Sequence, residues 1–251
     1  MQHAKRYKAL LLDVDNTLLS FRPSSEAALR KAFQIHHLPY EDVYYEVFYW
    51  VGEVLCEQQR RERLSVDEIR TLIFPRLLSA IGIEADGNAL SDTFHLQLHE
   101  EAVPEPGAVE TIAKLSERYQ LYVASNGVLE MQRSRLEIAG LANYFTDLFV
   151  SDDIGAEKPS ERFFHEAMRR SKTEPRDLLF VGDSIEADMI GAARSGIDRC
   201  WYNPQQLTAP ARPKLNYTIT ALSELPRILA ALRQFPAKRF ILFLDDLSFE
   251  E

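Results

Sequence analysis

From Pro106-Gly107 onward, short apolar runs alternate with stretches of helical periodicity, and this rhythm constrains the fold more than any other feature. Val109, Ile112, Ala113 and Leu115 recur at helical spacing ahead of an apolar run at Leu121 to Ser125. The next helical stretch ends near Gly140, and an apolar piece follows at Leu148 to Val150. A helix over about 161–171 leads into Leu178 to Val181, and one ending near Gly196 leads into Arg199 to Tyr202. Strands alternating with helices imply right-handed crossovers, hence a parallel sheet with helices on both faces. The apolar run at residues 7–12 joins this sheet as a strand buried on both faces, for it shows no polar alternation. The expected class is therefore α/β, with a Rossmann-like parallel sheet.

Residues 19–102 break that rhythm, reading as helix after helix with no convincing strand. Ser25 is placed to cap a helix whose apolar face carries Ala28, Leu29, Ala32 and Phe33. A second helix begins near Glu41 and Asp42, with a stripe of Tyr44, Val47, Phe48, Val51 and Leu55. Tyr40, Tyr44, Tyr45, Phe48, Tyr49 and Trp50 are too many aromatics for one buried face. They read either as packing between helices or as an apolar or stacking wall over a substrate. Ser65 and Glu68 form a capping-box pattern, Pro75 is expected to kink or end the helix that follows, and another helix runs from about 89 to 101. Pro104, Glu105, Pro106 and Gly107 then mark a boundary. The expected organisation is a discontinuous core, residues 1–17 with 104–235, an inserted all-helical cap at 18–103, and an extension at 236–251.

Acidic residues outnumber basic ones 38 to 29, and the formal net charge of -9 argues against a nucleic-acid polymer as partner. Small phosphorylated substrates stay open, since a few local cations and a metal can reverse a local field. The N-terminus carries no secretory apolar segment, and no run is long enough to span a bilayer. Cys56 and Cys200 form no pair motif, so reduced thiols and a cytoplasmic location are expected.

Strand ends of a parallel sheet converge on one edge, where open α/β sheets place their ligands. Here four of them carry polar clusters: Asp13, Asp15 and Thr17 after Leu12; Ser125, Asn126 and Gly127; Lys158 with Pro159; and Gly182, Asp183 and Ser184 with Asp188 beyond. Each has an ordinary reading alone, as a turn, a helix cap or a solvated charge. Together they supply the parts for phosphoryl transfer through an aspartyl-phosphate. One carboxylate attacks, a second handles the proton, and a Mg²⁺ offsets repulsion between carboxylate and phosphate. A lysine and hydroxyl or N–H donors hold the charge that shifts onto the equatorial oxygens.

These four ordered motifs resemble those of the haloacid dehalogenase-like hydrolase superfamily, in its phosphatase branch, over roughly residues 7 to 235. The resemblance implies Asp13 as nucleophile and metal ligand, and Asp15 as general acid/base with its backbone carbonyl on the metal. It implies Asp183 as the remaining metal ligand and Asp188 as support around it. It further implies Thr17, Ser125 and the N–H groups of Asn126 and Gly127 as the phosphate-binding set, with Lys158 neutralising charge between Asp13 and phosphate. The dehalogenase branch lacks the second aspartate of the first motif, so Asp15 favours a phosphatase.

The helical insertion, the Pro104 to Gly107 string and Cys200-Trp201-Tyr202-Asn203 are similar to the pyrimidine 5′-nucleotidase group within that superfamily. That similarity implies a nucleoside monophosphate as substrate; the expected state of the chain is a monomer or homodimer. A sugar-phosphate phosphatase or a phosphomutase is the same-chemistry alternative. A non-catalytic binding protein on this scaffold would lack a nucleophile or metal ligand, and neither is missing. The tail, with Phe240 to Leu244 followed by Asp245-Asp246, resembles a Walker B segment. No Gly-rich loop ending in Gly-Lys-Ser/Thr accompanies it, so it reads instead as an extra strand or packed extension.

Overall fold

The computed structural model of the protein describes residues 7–60 and 66–234. In chain order it contains β1 (Ala9–Leu12), α1 (Phe21–Ile35), α2 (Val43–Arg60), α3 (Val66–Ile81), α4 (Gly87–Leu98), α5 (Ala108–Ser116), β2 (Gln120–Ser125), α6 (Leu129–Ile138), β3 (Asp147–Val150), α7 (Ser151–Ile154), α8 (Glu161–Ser171), β4 (Leu178–Gly182), α9 (Ile190–Arg194), β5 (Asp198–Tyr202), β6 (Tyr217–Ile219) and α10 (Leu225–Gln234). The six strands form one sheet in the order β3-β2-β1-β4-β5-β6, and every pairing is parallel. The chain divides into two compact units: one takes the described residues up to Ser20 and from Val103 onward, the other is Phe21–Ala102. Among the described residues no helix is long and apolar enough to cross a membrane.

In the sheet unit, β1 is central and fully buried, which is why Ala9 to Leu12 carry no polar residue. One sheet face contributes Ala9, Leu11, Tyr122, Ala124 and Phe180 to a cluster with Phe163, Phe164 and Ala192 of α8 and α9. Alternation turns Leu10, Leu12, Val123 and Val181, all buried, to the opposite face. α5 and α10 pack together in the same unit. β6 and α10 extend the fold beyond the elements expected from the sequence. β6 is only three residues long, too short for a periodic signal, whereas in α10 Leu225, Ile228 and Leu229 do recur at helical spacing.

Two connections leave this unit side by side. The Ser20 N–H donates to the Val103 carbonyl at 2.8 Å, and the Glu105 N–H donates to that of Leu18 at 2.9 Å. Glu105 accepts from Ser20 Oγ with one oxygen and from the Tyr202 hydroxyl with the other, the latter at 2.8 Å.

The helical unit pairs α1 with α4, α2 with α3, and α3 with α4. Its centre is an aromatic triad of Phe48, Phe74 and Phe94, with ring centroids 5.1–5.6 Å apart. Three local expectations change. α1 begins at Phe21, with Pro23 in its first turn, where missing N–H groups cost nothing. Ser25 therefore lies inside the helix, bonding back to the Phe21 carbonyl and to the Tyr45 hydroxyl instead of capping. On α2 the buried face is Tyr45, Phe48, Val51 and Leu55; Tyr44 and Val47 sit at its margin. α3 runs through Pro75 without ending. A side chain on Gly87, the first residue of α4, would come within 2.7 Å of the Pro75 nitrogen, so α4 begins against the proline.

The aromatic crowd resolves unevenly. Tyr45 and Phe48 are buried, Tyr40 meets Phe33 edge-on at 5.4 Å, and Tyr44 lies 6.0 Å from Phe33. Helix packing thus accounts for these four, whereas Tyr49 and Trp50 remain exposed at 46% and 66%. Ser65 and the segment 236–251 lie outside the described residues.

Candidate active site

Strand register assembles the site. Leu12 pairs with Val123 on one side and Val181 on the other, so two residues further along the three strands stand Val14, Ser125 and Asp183 at a common edge. Asp13 directly follows Leu12, and its N–H donates to the Val181 carbonyl at 2.9 Å. Asp13, Lys158 and Asp188 are all buried there.

Lys158 is the hub. Its ammonium donates to Asp13 Oδ1 at 2.6 Å, Asp188 Oδ1 at 2.7 Å and the Ala124 carbonyl at 2.8 Å, one acceptor for each N–H. Asn126 fixes the loop that delivers it: the Lys158 N–H donates to Asn126 Oδ1 at 2.8 Å, and Asn126 Nδ2 donates to the Lys158 carbonyl at 3.0 Å. Both ends of the Asn126 amide are spent on positioning Lys158.

Asp188 is fully buried. Lys158 holds one of its oxygens and the Ser184 N–H holds the other at 3.1 Å. A methyl group on Gly182 would fall 2.2 Å from that second oxygen, so only glycine permits this approach. Asp183 is held through its carbonyl by Trp201 Nε1 at 2.8 Å, while Thr17 Oγ1 lies 3.5 Å from its carboxylate.

Carboxylate oxygens of Asp13, Asp183 and Asp188 come within 4.8 Å of one another. Three carboxylates against the single ammonium of Lys158 leave two negative charges unbalanced in a buried site. Desolvation accordingly pushes Asp13 up to about 7, with Lys158 opposing and Asp188 reinforcing the rise. Asp183 is raised to about 8 by burial and by the charges of Asp13 and Asp188. Burial pulls Lys158 down, but Asp13 and Asp188 outweigh it and hold the ammonium above its ordinary value. An all-oxygen set with two excess charges fits a hard divalent cation such as Mg²⁺. Because both oxygens of Asp188 are engaged, Asp13 and Asp183 are the side chains suited to ligate it.

Asp15 points elsewhere. Its Oδ1 accepts from Arg135 Nη1 at 2.7 Å and its Oδ2 from Gln132 Nε2 at 2.9 Å. Gln132 and Arg135, both on α6, were not singled out by sequence reading. The sequence of α6 is mostly polar and does not mark them; their burial beside Met131 and Leu136 appears only in the fold. Ser125 Oγ accepts from Gln132 Nε2 at 3.0 Å.

One phosphate-binding expectation, the Gly127 N–H, meets a different arrangement. The Gly127 N–H is taken by Ser151 Oγ at 2.9 Å, because α7 begins directly beneath the second loop. The Asn126 side chain serves the Lys158 loop, which leaves the expectation for its backbone N–H as it was. Thr17 is fully buried, with its hydroxyl nearest Asp183.

A parallel sheet with an aspartate-lysine-aspartate edge is the framework of a hydrolase, and the chain belongs to the haloacid dehalogenase-like hydrolases, which it matches over residues 7–196. It is 34% identical over 228 residues to the HAD-hydrolase YfnB of Bacillus subtilis (strain 168), covering 90% of this chain and 96% of that one. A crystal structure of YfnB bound to magnesium, described as revealing interdomain movement, superposes with a TM-score of 0.86 at 33% identity, covering 90% of this chain and 99% of that one. The pyrimidine 5′-nucleotidase PynA of Streptococcus pneumoniae (strain ATCC BAA-255 / R6) is 30% identical over 221 residues, 87% of this chain and 93% of PynA. A glyceraldehyde 3-phosphate phosphatase of Methanopyrus kandleri is 30% identical over 198 residues, 76% of this chain and 81% of the relative.

Proposed function

We propose that this protein is a Mg²⁺-dependent phosphomonoesterase that hydrolyses pyrimidine nucleoside monophosphates through a phosphoryl group carried on Asp13. The observation that carries the chemistry is the buried Asp13–Lys158–Asp188 chain, with Asp183 closing a three-carboxylate site of excess negative charge. In the first step Asp13 attacks phosphorus and the ester P–O bond breaks. Asp15 gives its proton to the departing oxygen, so the nucleoside leaves as a neutral alcohol. In the second step Asp15 takes a proton from water, the resulting hydroxide attacks phosphorus, and Asp13 is released as carboxylate with inorganic phosphate. Lys158 and Ser125 face the charge that builds on the phosphoryl oxygens. Mg²⁺, held by Asp13 and Asp183 with the Asp15 carbonyl, would supply the positive charge that lets a carboxylate approach a phosphate dianion.

The nucleotide preference rests on the PynA relationship and its near-complete coverage of both chains. In this reading Phe21–Ala102 is the cap, and exposed Tyr49 and Trp50 are its unspent aromatic surface. The test is a panel of pyrimidine and purine monophosphates, hexose phosphates, phosphoglycolate and glyceraldehyde 3-phosphate with purified protein and Mg²⁺. A pyrimidine monophosphate is expected to give the highest kcat/KM. Preference for glyceraldehyde 3-phosphate or a hexose phosphate would replace the substrate assignment, and activity indifferent to EDTA would remove the metal.

A further inference from the structure

Asp15 sits in a network with Ser125, Gln132 and Arg135, of which Gln132 and Arg135 have no part in the reaction as written above. Arg135 Nη1 donates to Asp15 Oδ1 at 2.7 Å and to Gln132 Oε1 at 3.2 Å. Gln132 Nε2 donates to Asp15 Oδ2 at 2.9 Å and to Ser125 Oγ at 3.0 Å. The Gln132 amide has one consistent orientation, because a carboxylate requires a donor opposite it and a guanidinium requires an acceptor. The anchors are buried, with Arg135 1% and Gln132 2% exposed, while the Asp15 side chain remains 29% exposed. Each anchor binds a different Asp15 oxygen from the interior, which leaves the outward lone pairs of both free to meet a substrate.

Helix α6 is itself fixed against the same edge. Asp152, at the start of α7, accepts the Leu129 N–H with both oxygens at 2.9 and 3.1 Å and so ties down the first turn of α6. Gln132 and Arg135 follow three and six residues later, on the side of the helix that also buries Met131 and Leu136.

We propose that Gln132 and Arg135 are positioning residues that hold Asp15 at the leaving-group oxygen and set its distance from the phosphate-binding Ser125. The proposal rests on the reading of Asp15 as proton donor. A single amide shared by Asp15 and Ser125 couples the place where the proton is given to the place where the phosphoryl group is gripped. Neither anchor touches the reacting atoms. Their effect should scale with how much the leaving group needs a proton.

The test compares Gln132→Met, Arg135→Met, Arg135→Lys and Asp15→Asn, each loaded with Mg²⁺, in single-turnover kinetics. The substrates are a nucleoside monophosphate, whose alcohol leaves poorly without a proton, and 4-nitrophenyl phosphate, whose phenolate leaves unaided. General acid catalysis contributes about 10²–10⁴-fold, so a misplaced Asp15 is expected to slow phosphorylation by the nucleotide by roughly 10²-fold. Gln132→Met and Arg135→Met should phosphorylate from the aryl ester within about threefold of wild type and leave nucleotide KM nearly unchanged. Arg135→Lys, which keeps the charge, is expected to recover part of the loss. Equal losses on both substrates would mean a structural role and overturn the proposal. If Asp15→Asn shows the leaving-group effect and the Gln132 and Arg135 variants do not, positioning fails while the reading of Asp15 stands. If Asp15→Asn lacks the effect, the reading of Asp15 fails first and takes the proposal with it.

Discussion

Replacing Lys158 with methionine tests the electrostatic account of the site most directly. The ammonium has three acceptors at 2.6, 2.7 and 2.8 Å and is buried with them. Methionine keeps most of the apolar stem, so the cavity left behind is small and the lost charge dominates. Removing one partner of a buried ion pair costs about 3–5 kcal/mol, because the other charge stays desolvated. Here two carboxylates are stranded, but they can escape part of the cost by binding protons. Asp13 is already raised to about 7 with Lys158 present, and losing the ammonium moves it further up. A carboxyl raised above its unfolded value stabilises the fold fully below that unfolded value, near pH 4, and loses the contribution as pH climbs through the folded value. The penalty of Lys158→Met should therefore be modest at pH 5.5 and close to full at pH 8.5. Urea unfolding of both proteins in EDTA, followed by circular dichroism at the two pH values, measures the difference. It should be on the order of 2–3 kcal/mol, since each pH unit of proton linkage is worth about 1.4 kcal/mol. A penalty that is equal at both pH values, or larger in acid, would refute the picture of stranded buried carboxylates.

Asp13→Asn should eliminate phosphate release while the EDTA-treated protein melts at or above wild type at pH 8, because one of three crowded carboxylates has gone; turnover that persists would end the covalent mechanism. Mg²⁺ binding should strengthen as pH rises through about 7 and 8, where Asp13 and Asp183 give up their protons. Titration calorimetry in buffers of different ionisation enthalpy should then detect proton release at pH 6.5 and little at pH 9, and pH-independent binding would contradict it. Gly191→Ala should destabilise the sheet unit, since the added methyl lands 2.1 Å from the Phe164 ring in a closed core. Overpacking of this kind costs about 1–3 kcal/mol, and an unshifted melting temperature would show that the ring has room to move.

Some of this protein was determined by sequence alone. Continuous apolar strands such as Leu10 to Leu12 are characteristic of a sheet covered on both faces, and the polar residues that end them must share an edge once the strands are parallel. Asp13 and Asp183 were legible for that reason, their positions following from local periodicity and strand direction, whereas Lys158 lies beyond α7 and reaches the edge on a loop that Asn126 holds. Register and long-range contacts were not legible in the same way. Nothing local says that Ser151 will claim the Gly127 N–H, that Asn126 will spend both ends of its amide on Lys158, or that Asp188 will lie beneath Gly182. The first two join residues from different strand–helix junctions, and the third depends on how the chain turns back after β4. The largest omission, Gln132 and Arg135, has the same cause: Arg135 reaches Asp15 across 120 residues of chain. A charged residue on a helix face reads as surface until tertiary packing turns that face inward. Only then does its partner matter, because burial makes an unpaired charge too costly to keep.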